Sequence, residues 1–249
     1  MLFRSGEVED YKLTLLPGLP PQIEQPNLTY TMKEDFALSA TDFDGNLTPG
    51  NNQDDGLLAT VTDPDGDTVR IYPEDVKTKT LMSGDEVAGE LRVFANGTFT
   101  FDPETDFNGI TDFSVRVTDG SLVNSRPISV TINVTPVNDR PEADIPPVII
   151  ERQGDEDVEQ TFDVDELIDG KFIPGPIDEL NQPMFIQAAG FGNQAFQTEL
   201  GGSLTIGENG QSITYTPPLN QNGVVDTFTY VVADLTSDNP ESKIGRAHV

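Results

Sequence analysis

Residues 98–119, TFTFDPETDFNGITDFSVRVTD, hold the pattern that decides the fold. Phe99 and Phe101 alternate with Thr98, Thr100 and Asp102, the period of a strand with one buried face. Pro103 ends the run, because proline has no N–H to give a sheet ladder. Asn108-Gly109 follows, a pair that tolerates positive φ and predicts a turn. Phe113, Val115 and Val117 then share one face of a second strand, which closes at Asp119. The same order returns in residues 212–234, SITYTPPLNQNGVVDTFTYVVAD. There the proline is Pro217, the turn pair Asn222-Gly223, the apolar face Phe228, Tyr230 and Val232, and the closing acid Asp234. The second copy carries one extra residue after its Asn-Gly pair. Agreement in proline, turn pair, alternation and terminal Asp identifies an internal repeat at domain spacing.

Outward from the first copy, Ile128–Val134 is another alternating strand, and Thr135-Pro136-Val137-Asn138-Asp139-Arg140-Pro141 follows it. Its prolines end pairing and stiffen a short connection, which places a domain boundary there. Each copy reads as about seven short strands, and no segment sustains a 3.6-residue apolar period. Asp163–Asp169 allows one helical turn at most. The chain is therefore expected to be all-β, with two tandem Greek-key β-sandwich domains at residues 22–137 and 138–240. The second is expected to end near Pro240, short of its final strand. Residues 1–17, with Tyr11, Leu13 and Leu15 at period two, read as the last strand of a truncated upstream domain. Residues 243–249, KIGRAHV, match no strand or turn around them and read as a translated sequencing adapter, which would make His248 an artefact.

Charge narrows the function. Asp and Glu number 43 against 14 Lys and Arg, a net −29 that repels nucleic acid and anionic lipid. Clustered carboxylates repel one another until a divalent cation sits among them, so calcium, Ca2+, is the expected cofactor. No cysteine is present, so packing and metal must do what disulfides do elsewhere. No apolar run is long enough to span a bilayer, and Met1-Leu2-Phe3-Arg4 enters a charged stretch with no signal-peptide core. An extracellular or cell-surface place is expected, with the export signal outside these residues.

The strings FDPETDFNGITDFSVRVTDG, TVTDPDGDTV and TPVNDRPEA resemble the tandem cadherin-like and bacterial Ig-like repeats of large bacterial extracellular adhesins. Residues 6–11, GEVEDY, resemble the closing strand of GEVED-type domains of such proteins. The resemblance implies a chain of sandwiches that bind calcium at their junctions and serve adhesion or spacing. It also implies ligands. Glu34 and Glu156 match the acid early in each domain that faces the downstream junction, and Asn138 and Asp139 belong to the junction itself. Asp63 and Asp65, with Asp119, match the loop and late-strand ligands that face upstream. In the second repeat Asp234 takes the late-strand place and Asp178 is a loose match to the loop ligand. The implied partners are neighbouring repeats of the same chain, and another surface protein or a glycan.

Other readings of the same residues are weighed against these. Asp63, Asp65, Asp67 and Glu74 fall at positions one, three, five and twelve of an EF-hand loop, but Thr68 stands where glycine is required and strands flank the loop. The loop also has the composition of a plain acidic β-turn. Asp42, Asp44, Asp163 and Asp165 read as turn or solvated acids. No phosphate loop, zinc spacing or nucleophile elbow is present, and Gly201-Gly202-Ser203 has no histidine to activate its serine. A non-enzymatic module is expected. The alternatives are a carbohydrate-binding accessory module of a secreted degradative enzyme, set back by the absence of Trp, and a metal-free mechanical linker.

Overall fold

The computed structural model describes residues 18–41, 55–120, 127–143, 148–149, 153–234 and 247–248. The expected upstream strand in residues 1–17, and Asp42 and Asp44, lie outside the described residues. The chain divides into two units, Met1–Val137 and Asn138–Val249.

The first unit contains β1 (Gln22–Ile23), β2 (Asn27–Lys33), β3 (Leu38–Ala40), β4 (Val61–Thr62) and β5 (Arg70–Ile71). It continues with β6 (Thr78–Ser83), β7 (Glu86–Val93), β8 (Phe99–Pro103), β9 (Gly109–Val115), β10 (Val117–Thr118) and β11 (Ile128–Thr135). Two sheets dominate, one in the order β2-β11-β9 and one in the order β3-β8-β7-β6. The pairs β1-β4 and β10-β5 are small additions. Strand β2 runs parallel to β11, and the other pairings among the described residues of this unit are antiparallel. Alternation explains the layers. Phe99 and Phe101 of β8, Phe113 and Val115 of β9, and Ile128, Val130, Ile132 and Val134 of β11 all bury their side chains in one core. Tyr30 meets Phe99 edge-on at 5.0 Å, and Phe99 meets Phe113 at 5.5 Å, the geometry that aromatic quadrupoles prefer. Gly89 is needed for close approach: a Cβ there would run into the backbone of Asp102 and of Pro103, its partner across the β7-β8 ladder.

The second unit contains β12 (Glu142–Ala143), β13 (Val148–Ile149), β14 (Gln160–Asp163), α1 (Val164–Ile168), β15 (Phe172–Ile173) and β16 (Met184–Phe191). Then come β17 (Gln194–Ala195), β18 (Ser203–Ile206), β19 (Ser212–Thr216), β20 (Thr229–Asp234) and β21 (Ala247–His248). The sheet orders are β13-β21-β20-β16-β17 and β14-β19-β18, with β12 paired to β15. The helix stays at the single turn that the sequence allows. Phe162, Leu167, Phe172, Ile213, Phe228, Tyr230 and Val232 fill the core, and the Tyr230 hydroxyl donates to the Leu167 carbonyl at 2.7 Å.

Both units are all-β sandwiches, as expected, with three differences in detail. First, short ladders subdivide the expected seven strands. In the first unit β9 and β10 part at Arg116, whose backbone N–H donates to Asp75 (2.9 Å) instead of to a strand. Second, a turn precedes each matched Asn-Gly pair, at the left-handed Asp106 and Asn220 (φ 59° in both units, three residues after the matched prolines), and the glycines of the pairs also take positive φ, 140° at Gly109 and 68° at Gly223. Asp and Asn tolerate that region better than other side chains. Third, Ala247–His248 does join a sheet. It pairs antiparallel with Thr229–Tyr230 and parallel with Val148–Ile149, the arrangement that β11 makes with β9 and β2 in the first unit. The remainder of residues 243–249 lies outside the described residues.

Candidate metal centres

The matched turns place two matched acids. Glu34 precedes the left-handed Asp35 (φ 62°), and Glu156 precedes the left-handed Asp157 (φ 61°). Each is met by the asparagine of its Asn-Gly pair: Asn108 Nδ2 donates to Glu34 at 3.3 Å, and Asn222 Nδ2 donates to Glu156 at 3.0 Å. The Asn-Gly pair is thus a clamp on an acid, a role the sequence reading missed. The two acids differ in setting. Glu34 is 1% exposed and its carboxylate accepts the Val137 N–H, so it is held by the end of its own domain. Glu156 is exposed, and beside it Asp157 accepts the Asn220 N–H at 2.8 Å.

The Asp63–Asp67 loop forms a compact acidic turn in the first unit. One oxygen of Asp63 accepts the N–H groups of Asp65 (3.0 Å) and Asp67 (3.1 Å), which coils the loop around its own carboxylate. The other, Oδ2, is buried without a hydrogen-bond partner. Asp63, Asp65 and Asp67 each bring a carboxylate oxygen within 4.8 Å of the others. Asp65 also accepts the Leu19 N–H at 2.9 Å. The β5-β10 ladder sets Thr118 opposite Arg70, which carries the half-buried Asp119 to the end of the ladder that this loop leads into. Glu74 is used elsewhere: Arg116 pairs with it at 3.1 Å and with Asp75 at 3.0 Å while lying over Tyr72 at 4.4 Å. That removes the twelfth ligand of the EF-hand reading. The same pairing holds the Asp75 carboxyl below the usual carboxylate range.

The second unit gathers its acids inside. Asn138 Nδ2 donates to both oxygens of Asp234 (3.2 and 3.3 Å) and to the Asp139 carbonyl (2.9 Å). The Asp139 N–H in turn donates to both oxygens of Glu179 (3.0 and 3.2 Å). Glu179 and Asp234 are 3% and 8% exposed, and no Lys or Arg among the described residues forms an ion pair with either. Burial, opposed by the Asp139 N–H and reinforced by the charges of Asp139, Asp178 and Asp234, pushes Glu179 up to about 7. Burial raises Asp234 as well, and its hydrogen bond from Asn138 opposes the rise. Asn138 Oδ1 is buried with no hydrogen-bond partner.

Asp178, the expected loop ligand, is exposed and does not enter this cluster; its neighbour Glu179 does. A turn from Pro176, closed by the Glu179 N–H to the Pro176 carbonyl, sends Ile177 and Asp178 outward and Glu179 inward. Gly175 was the available signal, because a Cβ at that position would collide with the Glu179 carboxylate.

All these groups are hard oxygens, with no His or Cys among them, which suits calcium and does not suit zinc or copper. The oxygens Asn138 Oδ1 and Asp63 Oδ2 pass the same test, since each is a buried acceptor to which no described residue offers a donor.

Comparison with known proteins agrees with this architecture. Residues 21–136 match the bacterial cadherin-like domain, and residues 138–243 match the bacterial Ig domain. No curated protein matches the chain. Among solved structures, an endo-fucoidan hydrolase from glycoside hydrolase family 107 is 15% identical over 92% of this chain and 28% of its own, with a TM-score of 0.34. The human desmocollin-1 ectodomain is 11% identical over 94% of this chain and 37% of its own, with a TM-score of 0.38. The titin domains z1z2 in complex with telethonin are 11% identical over 94% and 96%, with a TM-score of 0.27. The chain spans less than two thirds of the first two of these structures. Repeat, sandwich topology and family matches together make this chain a bacterial cadherin-like domain followed in tandem by a bacterial Ig domain.

Proposed function

We propose that the chain is a non-catalytic, calcium-binding spacer and adhesion module of a large bacterial cell-surface or secreted protein. Neighbouring repeats of the same chain are its first partners, and another surface protein or a glycan is its adhesive one. The observation that carries this reading is the cluster of the half-buried Asn138 and Asp139 with the buried Glu179 and Asp234. Two carboxylates out of water and without a basic partner destabilise a fold unless protons or a cation neutralise them. Calcium neutralises both at once and accepts the idle Asn138 oxygen as a further ligand. In the first unit Asp63, Asp65 and Asp67 offer a second and more exposed set. Metal held this way stiffens the loops that carry the ligands, which is what a spacer under tension requires. No helix among the described residues is long and apolar enough to cross a membrane. Titration calorimetry with calcium chloride tests the reading. Binding should be measurable, and Glu179→Gln and Asp234→Asn should each weaken the tighter site by at least about tenfold, the loss of one charge-assisted ligand. Absence of calcium binding at millimolar concentration would sink it.

A further inference from the structure

The sequence contains four Asn-Gly pairs, at 96–97, 108–109, 209–210 and 222–223. An Asn-Gly pair can modify itself. The glycine nitrogen attacks the asparagine Cγ and expels Nδ2 as ammonia, which takes up the glycine amide proton. Water then opens the resulting cyclic imide to aspartate or isoaspartate. The reaction needs a glycine nitrogen that is free to approach, so the fold decides which pairs react.

Three pairs are restrained. The Gly97 N–H donates to the Phe94 carbonyl at 3.0 Å, and the Gly210 N–H donates to the Gly207 carbonyl at 3.1 Å; both glycines are buried. Gly109 stands in the β9 ladder opposite Val134, and Asn108 is clamped to the buried Glu34. The fourth pair is the least restrained, since its clamp, Asn222 to Glu156 at 3.0 Å, is exposed and leaves the glycine outside any ladder. Asn222 and Gly223 are both exposed, and Gly223 lies outside any strand at φ 68° with nothing within 4 Å of where a Cβ would stand. We infer that Asn222-Gly223 is a self-modification site, the one Asn-Gly pair of this chain that deamidates in the folded state.

The product changes a local charge pattern. Nδ2, the atom that leaves, is the donor that reaches Glu156. Deamidation replaces that hydrogen bond by a carboxylate facing Glu156, next to Asp157, and so concentrates negative charge at this end of the domain.

Incubating the folded chain at mildly alkaline pH, with peptide mass mapping over time, tests the inference. Asn222 should gain the mass of amide-to-acid conversion at least about tenfold faster than Asn96, Asn108 and Asn209, whose glycine amides must first open locally. In concentrated urea the four pairs should convert at similar rates. Asn222→Gln should remove the fast conversion and leave the slow three unchanged. Equal rates at the four sites in the folded chain, or a lead for Asn222 that persists undiminished in urea, would overturn it.

Discussion

The two domains share a repeat and handle its acids in opposite ways. In the first, the early acid Glu34 is buried and tied to Val137 and Asn108, while the loop acids Asp63, Asp65 and Asp67 sit in an open turn. In the second, the early acid Glu156 is exposed, while Glu179 and Asp234 are buried around Asn138 and Asp139. Sequence position is matched, but burial is not. Burial decides whether a carboxylate is a structural acceptor, a strained charge awaiting a cation, or a solvated ligand. The domains also differ in bulk: twenty buried apolar residues form the first core and eleven form the second, among the described residues. Each domain buries two carboxylates among the described residues, Glu34 and Asp55 in the first and Glu179 and Asp234 in the second, and the second does so around the smaller core.

Substitutions separate these roles, and the largest effect belongs to the core. Phe99→Ala should cost roughly 3–5 kcal/mol in urea unfolding of the first domain, through loss of transfer energy and an unfilled cavity between Tyr30 and Phe113. Next comes Glu34→Ala, which strands the Val137 N–H and the Asn108 amide and should cost about 1–3 kcal/mol. A smaller effect there would mean that Glu34 is a solvent-ready ligand like Glu156, and the contrast between the domains would fail.

The pH dependence tests the second domain. Glu179 has a folded value of about 7 against 4.5 for the ordinary group, so between those pH values the folded state holds a proton that the unfolded state has lost. Stability without calcium should therefore fall as pH rises through this window, by at most about 1.4 kcal/mol per pH unit, and should level off above it. Glu179→Gln should remove that slope. A calcium-free unfolding profile that rises over the same window would contradict the burial argument. The smallest effect is expected for Glu156→Ala, within about 0.5 kcal/mol of wild type, because an exposed carboxylate with one side-chain donor contributes little to folding.

Much of this was legible in the residues. Alternation at Thr98–Pro103, Ser212–Thr216 and Ile128–Val134 located strands β8, β19 and β11, since period two leaves little choice once one face is apolar. The units divide between Val137 and Asn138, inside the connection that Pro136 and Pro141 flank. What escaped was geometry that depends on distant packing. Asn108 and Asn222 carry a strong local turn signal, yet a left-handed Asp106 or Asn220 turns the chain ahead of each pair, and the asparagines hold acids. Asp178 and Glu179 are adjacent acids, and only the turn closed at Pro176 decides which one enters the domain. Composition reported that the chain is acidic; it held no record of which carboxylates lose their water.

The central claim is that the cluster of Asn138 and Asp139 with the buried Glu179 and Asp234 is a calcium site, and equilibrium unfolding of the whole chain with calcium and with chelator tests it most directly. With calcium at about 100 times its dissociation constant, the second domain should gain roughly 2.7 kcal/mol, and Glu179→Gln should lose most of that gain while unfolding no earlier than wild type in chelator above pH 7. Superimposable curves for wild type in calcium and in chelator would contradict it.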